Sequence, residues 1–533
     1  MLKPNWLYIS LMIAGFSPFN AKTAPIHANA GHAVCNVYDY RAVGDGVALD
    51  SAAINNAIND CHARGGGIAK LPPGVFRSGT IFLQDNVFLD VEAGATILGS
   101  ANLADYVKLS HSSEGRDTAL IVAENVHDTG IIGKGTIDGN GRSFIKATAD
   151  RWTPYFDVGL TRQGHAWADR MGQSNAGPVT MGPRPGVLFL ALHVQGLQLQ
   201  DFHVVDSPNW TIKIGCSHFI NANHLVVLND PRIPNNDAMD ISTSSDATIS
   251  DSYFQAGDDA LVIGGPCLDG WCQEKAERIK VHNVTLVSRS AALRVGPAAQ
   301  GVRDLSFDHV VVRDSNRGIT IQLRASEIVE YISFNDTVID SHLIDGPWWG
   351  AGEPITISVA HWDYQSWSKT ESLGILRHVR FTHTVTNSDS PVVIYSTEPG
   401  HIYDIDFEGL SLSMKPSSLN AILGGNLDLQ PTTPIDLGVR RQDMAAILVH
   451  NVDNLRLNKV KVRWLDSFPD FYTNALSADG FHDLTIDHFV GAASSTALPA
   501  IHLQNGSGVD IRHARATAGP LLQQSGVTNL VHK

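Results

Sequence analysis

One pattern restricts this chain more than any other: an apolar residue, any residue, a second apolar residue, two variable positions, and a third apolar residue. It stands at Leu197-Leu199-Phe202, Ile220-Ala222-Leu225, Ile279-Val281-Val284, Leu305-Phe307-Val310, Ile405-Phe407-Leu410, Leu455-Leu457-Val460 and Leu484-Ile486-Phe489. Its central position falls at residues 199, 222, 249, 281, 307 and 334, and again at 381, 407, 457, 486 and 511. Within each run most steps are 23 to 32 residues, and the step of 50 between 407 and 457 reads as about two units. A period in the twenties, built from several short strands without helical periodicity, is the mark of a solenoid. The Leu-rich frame and regular Asn of leucine-rich repeats are missing. The predicted fold is therefore all-β, a single-stranded right-handed parallel β-helix in which strand stacks on strand.

The stretch from Met1 to Ala33 has Lys3 ahead of an apolar run from Trp6 to Phe16, and Ala28-Asn29-Ala30 as a cleavage option. It reads as a secretory signal over residues 1–30, too short in its apolar part to span a bilayer. The rest, 31–533, reads as one β-helix domain with loop insertions near 142–181, 264–276 and 343–375. Export, to the periplasm or the medium, permits disulfides. Cys35 with Cys61 could staple the first unit, Cys267 and Cys272 could close one loop, and Cys216 remains as a buried free thiol. The formal charge of −15 argues against nucleic acid or an anionic membrane as the main partner.

Among the strands, "NNDAMDISTSSDATISDSYFQAGDDALVI" (Asn235 to Ile263) places Asp237 and the pair Asp258-Asp259 about one coil apart, with 21 residues from Asp237 to Asp258. Residues one coil apart lie about 4.8 Å from each other. Three carboxylates brought together in this way repel and raise one another's pKa, which stability alone would not select. The structural alternative is an Asn/Asp ladder supporting turns.

At these residues the chain resembles glycoside hydrolase family 28, the polygalacturonase family of right-handed β-helices. The family's Asn-Thr-Asp-Gly-x-Asp is met by Asn235-Asn236-Asp237-Ala238-Met239-Asp240 with two changes, and its Gly-Asp-Asp by Gly257-Asp258-Asp259. The stretches Val37 to Leu83, Glu92 to Ser100 and Gly133 to Gly141 are similar to the opening units of the wider superfamily, and the resemblance spans roughly residues 34 to 345. It implies an inverting O-glycosyl hydrolase that uses neither metal nor other cofactor. Asp258 would be the general acid, Asp237 and Asp259 would position and deprotonate water, and Asp240 would support the loop. The implied partner is plant cell-wall polysaccharide or oligosaccharide, bound by a monomer.

Two departures from the family bear on substrate. Its Gly-His-Gly aligns with Ser290-Ala291-Ala292, so the active-site histidine is lost. Its Arg-Ile-Lys, which grips a substrate carboxylate, aligns with Thr320-Ile321-Gln322. On an alternating strand Thr320, Gln322 and Arg324 share one face. Carboxylate recognition would then fall to Arg294 or Arg324, unless the sugar at the cleavage point is not a uronic acid or both arginines are ordinary surface residues. Gln322 could bind sugar hydroxyls. Trp348 and Trp349 offer stacking surfaces, as do Trp362 and Trp367, and Trp152, Tyr155 and Trp167 in the earlier insertion. The expected function is cleavage of a pectic or related polysaccharide by an enzyme that is not a typical homogalacturonan hydrolase. Two other classes fit parts of the pattern: a catalytically weak carbohydrate-binding solenoid, and a β-helix polysaccharide lyase.

Overall fold

The computed structural model describes residues 33–113, 116–146, 157–173, 175, 177–265, 272–298, 300–361, 372–430 and 438–533. The signal segment, Cys267, Trp152, Tyr155, Trp362 and Trp367 lie outside the described residues. From Ala33 to Lys533 the chain winds as one unit, a right-handed parallel β-helix.

Each central residue of the apolar pattern pairs in parallel register with the next one along the chain. Leu199 pairs with Ala222, and the ladder runs on through Ile249, Val281, Phe307, Phe334, Phe381, Phe407, Leu457 and Ile486 to Ile511. Four phenylalanines form a continuous stack within it. Phe307, Phe334, Phe381 and Phe407 have ring centroids 4.7, 4.5 and 4.8 Å apart in turn, the spacing of the coils themselves. Two residues after the ladder position the backbone enters the left-handed region, at Asp201, His224, Asp251, Asn283, Asp336 and Gly409 among others. Asn, Asp and Gly tolerate that conformation best. This corner is why the pattern carries two variable positions before its third apolar residue.

Direct pairing of Phe407 with Leu457 corrects the sequence expectation that two units lie between them. They belong to a single coil enlarged by an insertion, which carries the short helix Asn420–Leu423 and the antiparallel hairpin Asn426–Asp428 with Val439–Arg441. The hairpin's backbone pairs internally and leaves the ladder undisturbed, so no apolar repeat marks it.

At the other end, helix Ser51–Ala63 buries Ala53, Ile54, Ala57, Ile58 and Cys61 against the first coil and covers its apolar interior. Cys61 is bonded to Cys35, as the sequence suggested. The second disulfide differs from expectation. Cys216 pairs with Cys272, with Cα atoms 5.7 Å apart, so Cys216 is not a free thiol and Cys272 is not the partner of Cys267. Their separation of 56 residues brings them together only through stacking of the intervening coils. Among the described residues no helix is long and apolar enough to cross a membrane.

A second ladder positions the candidate site. Ile212, Met239, Leu261, Leu293, Ile319 and Ile355 point inward in register, all buried. Side chains alternate across a strand, so Lys213, Asp240, Val262, Arg294, Thr320 and Thr356 form the facing outer row.

Candidate active site

The carboxylates stand at the entrance to this outer row. Thr211 N donates to Asp237 O, Ala238 N to Asp259 O, and Ala260 N to Ala291 O, at 2.9, 3.0 and 3.0 Å. Asp237, Asp259 and Ala291 are therefore one coil apart from each other, and Asp258 precedes Asp259 on the same turn. The structure brings all three aspartates together, each with an oxygen within 4.8 Å of the others.

Loop residues set this geometry. Asn235 takes left-handed backbone, with φ 57°, and its Nδ2 reaches Asp258 Oδ2 at 3.5 Å. Asn236 is fully buried and joins two coils: its Nδ2 donates to Asp230 O at 2.9 Å, and its Oδ1 accepts from Gly257 N at 2.6 Å. A Cβ at Gly257 would collide with the carbonyls of Ile233 and Pro231, so the residue before Asp258 has to be glycine. Arg184 donates to the carbonyls of Pro208 and Pro234 at 2.7 and 3.0 Å and fixes the approach to Asn235.

All three aspartates are about 95% buried. Burial, reinforced by Asp258, Asp240 and Asp259, holds Asp237 well above the usual carboxylate range, with Arg294 acting the other way. Asp258 is pushed up to about 8, by burial first and then by Asp259, with Arg294, the Ser290 hydroxyl and Asn235 opposing. Asp259 has its two oxygens engaged: Oδ1 accepts from Ala291 N at 2.9 Å, and Oδ2 lies 2.6 Å from Arg294 Nε. Asp237 Oδ1 has no hydrogen-bond partner among the described residues. At neutral pH the cluster thus contains a carboxyl group that keeps its proton, next to one tied to a guanidinium. The three oxygens are close enough to hold a cation, but Arg294 already brings positive charge to the cluster.

The remaining candidates are distributed unevenly. Arg324 is buried and Arg294 is mostly enclosed, with 21% of its side chain exposed, so neither is an ordinary surface residue. Arg324 is committed elsewhere: its guanidinium donates to the carbonyls of Leu323 and Leu429, both at 2.9 Å, and to Ser358 Oγ at 3.1 Å. It fastens the 420–445 insertion to the coil. Burial brings its pKa down to about 9. Gln322 is buried in register with Ser358. Thr320, where the family has arginine, pairs in register with Arg294, and its Oγ1 lacks a hydrogen-bond partner among the described residues.

Trp348 and Trp349 line a cavity of about 210 Å³ together with Pro234, Gly350, Asp428 and Gln430. Trp348 is buried and Trp349 is 37% exposed. Trp167 also touches this cavity, but it packs with Met171, Leu343, Leu423 and Val439 as a small core between insertions.

Sequence reasoning missed Arg317. It follows Ala291 by one coil, and its guanidinium is buried 3.4 Å from Glu353 Oε2 and 3.2 Å from Asp428 Oδ1. Nothing local in the sequence pairs it with Asp428, which arrives on the inserted hairpin. The departures at Ser290 and Ala291 were visible: the Ser290 hydroxyl acts to lower the Asp258 pKa, and the backbone amide at Ala291, which any residue there would supply, bonds Asp259.

Comparison with known proteins agrees with this geometry. The family model "Glycosyl hydrolases family 28" matches residues 72–342. An exo-poly-alpha-D-galacturonosidase of Dickeya chrysanthemi is 25% identical over 336 residues, covering 57% of this chain and 54% of the relative. The chain spans about half the length of the curated relatives it matches. The family 28 exopolygalacturonase structure from Yersinia enterocolitica superposes with a TM-score of 0.53 at 15% identity, covering 93% of this chain and 78% of that one. A hyperthermoactive exopolygalacturonase from Thermotoga maritima gives 0.50 at 18% identity, covering 82% and 89%. The solenoid, the Asp237 and Asp258-Asp259 motifs on adjacent coils, and a match over half its length place this chain in glycosyl hydrolases family 28.

Proposed function

We propose that this protein is an exported glycoside hydrolase that cleaves a pectic or related plant polysaccharide or oligosaccharide with inversion. Asp258 protonates the leaving oxygen, and Asp237 and Asp259 orient and deprotonate the attacking water. The observation that carries this reading is the buried trio itself: three carboxylates with oxygens within 4.8 Å of one another, where burial and Asp259 push Asp258 up to about 8. A general acid needs a retained proton at working pH. A lyase would not need the trio, and a binding module would have no use for its electrostatic cost. The two disulfides suit an oxidising compartment.

The relatives named above point to pectic chains as the substrate class. Thr320 and Gln322, in place of two basic residues, point away from unmodified homogalacturonan, which presents a carboxylate at every sugar.

Stereochemistry is the deciding measurement. The closest carboxylate oxygens lie within 4.8 Å, nearer than the roughly 6.5–9.5 Å of most inverting acid/base pairs. Water would therefore have to enter beside the trio. Time-resolved NMR of the first-formed product should show the inverted anomer, whereas retention would make one aspartate a nucleophile. An ultraviolet-absorbing unsaturated product would show a lyase, and no cleavage across a panel of galacturonate, rhamnose-containing and neutral oligomers would leave only the binding module. Within that panel, a higher kcat/KM on galacturonate oligomers than on the others would refute the substrate preference.

A further inference from the structure

We propose that Arg294 is a positioning residue of the catalytic carboxylates and not the recognition site for a substrate carboxylate. This rests on the hydrolase reading above and adds a division of labour within it. Arg294 Nε lies 2.6 Å from Asp259 Oδ2, while Ala291 N holds Asp259 Oδ1 at 2.9 Å. Both grips come from the strand Ala291–Val295, so this one element fixes the plane of the Asp259 carboxylate. The Arg294 N–H is not aligned as a hydrogen bond, so the contact is an ion pair that holds by charge. The neighbours of Arg294 in register, Val262 and Thr320, are uncharged, which leaves the guanidinium to the aspartates.

Charge around Arg294 argues against recruiting a further anion. Asp237, Asp240, Asp258 and Asp259 all act on it, from two preceding coils. On the following coil Arg317 is balanced by Glu353 and Asp428, and Arg324 beyond it donates to carbonyls. Lys213, in register with Asp240, donates to Ser242 Oγ at 3.0 Å. Arg294 is already paired with Asp259, so a sugar carboxylate entering there would have to displace that partner. Arg294 also acts against the upward pressure on Asp237 and Asp258, so its removal should raise both further.

The test is Arg294→Met assayed on galacturonate oligomers and on neutral or rhamnose-containing oligomers. The expected result is a fall in kcat of about 10- to 100-fold, the effect of losing one charged partner, equal for both series and with KM within a few-fold. The alkaline limb of kcat/KM, set by the proton on Asp258, should move to higher pH. Arg294→Lys should recover part of kcat. A loss confined to galacturonate oligomers and expressed in KM, or an unmoved alkaline limb, would overturn the assignment. If wild type cleaves nothing in the panel, the hydrolase reading fails separately, and melting still tests the pairing. Arg294→Met should lose thermal stability relative to wild type increasingly from pH 5 to pH 8, as carboxylates ionise without their counter-charge. A pH-independent difference would overturn the proposal.

Discussion

Asn236→Ala isolates the device that joins two coils behind Asp258, the proposed general acid. The wild-type side chain makes two bonds while fully buried, accepting from Gly257 N at 2.6 Å and donating to Asp230 O at 2.9 Å. Its backbone carbonyl is held independently by Asn229 Nδ2 at 2.8 Å and survives the substitution. The two lost bonds are not equivalent. Asp230 O still accepts from Ile233 N at 3.1 Å, so its share is the net value of one hydrogen bond, about 0.5–1.5 kcal/mol. Gly257 N–H is left buried without that acceptor, which costs about 1–3 kcal/mol. The sum is about 1.5–4.5 kcal/mol. Because Gly257 immediately precedes Asp258, its peptide gains freedom to shift, and a displacement of about 1 Å at a reacting group can cost about 10²-fold in rate. Urea unfolding followed by tryptophan fluorescence measures the first effect, and kcat on the best substrate measures the second. An unchanged unfolding midpoint, or full activity in a destabilised protein, would refute the coupling of this bond to Asp258.

Asp258→Asn should lower turnover by about 10²–10⁴-fold while leaving oligosaccharide affinity within a few-fold, checked by rate and calorimetry. In wild type, activity should fall as pH rises through about 8, because Asp258 must be protonated to act and loses its proton there. Arg317→Met strands Glu353 and Asp428 in the interior and should cost about 3–5 kcal/mol. Glu353 already sits above its ordinary range through burial, so this loss should grow as pH rises and fade in acid, measured by denaturation at pH 5 and pH 8. Replacing Cys216 and Cys272 by serine opens a loop of 56 residues and should cost about 4 kcal/mol on the chain-entropy argument, seen as a lower melting temperature on which reductant acts only through Cys35–Cys61.

The repeat was legible because it is written in local contrast. Every central residue from Leu199 to Ile511 in the sequence pattern is a rung of the observed ladder, since an inward apolar position is flanked by corner residues on its own strand. The aspartate motifs were legible for the same reason. Partnerships between distant coils were not. Cys216 meets Cys272 across an inserted loop, and Arg324 meets Leu429 across 105 residues. Nor could the burial of the outer row be read from alternation. Thr320 and Gln322 alternate with inward residues as exposed side chains would, yet both are buried, and Arg294 keeps only 21% of its side chain exposed. The enlarged coil was read as two because a hairpin that pairs with itself leaves no periodic trace.

That enlarged coil bears on how such a protein can change over generations. Phe407 stacks on Phe381 and pairs with Leu457 although fifty residues separate the last two. Loop-closure cost rises only logarithmically, about 0.6 kcal/mol for each doubling of length, so a coil can accept or shed a long excursion at little expense to the stack. The carboxylates ride on the regular register of the strands, whereas Asp428, Gln430, Trp348 and Trp349 ride on excursions. Such excursions can therefore be lengthened, shortened or exchanged while the aspartate trio stays in place.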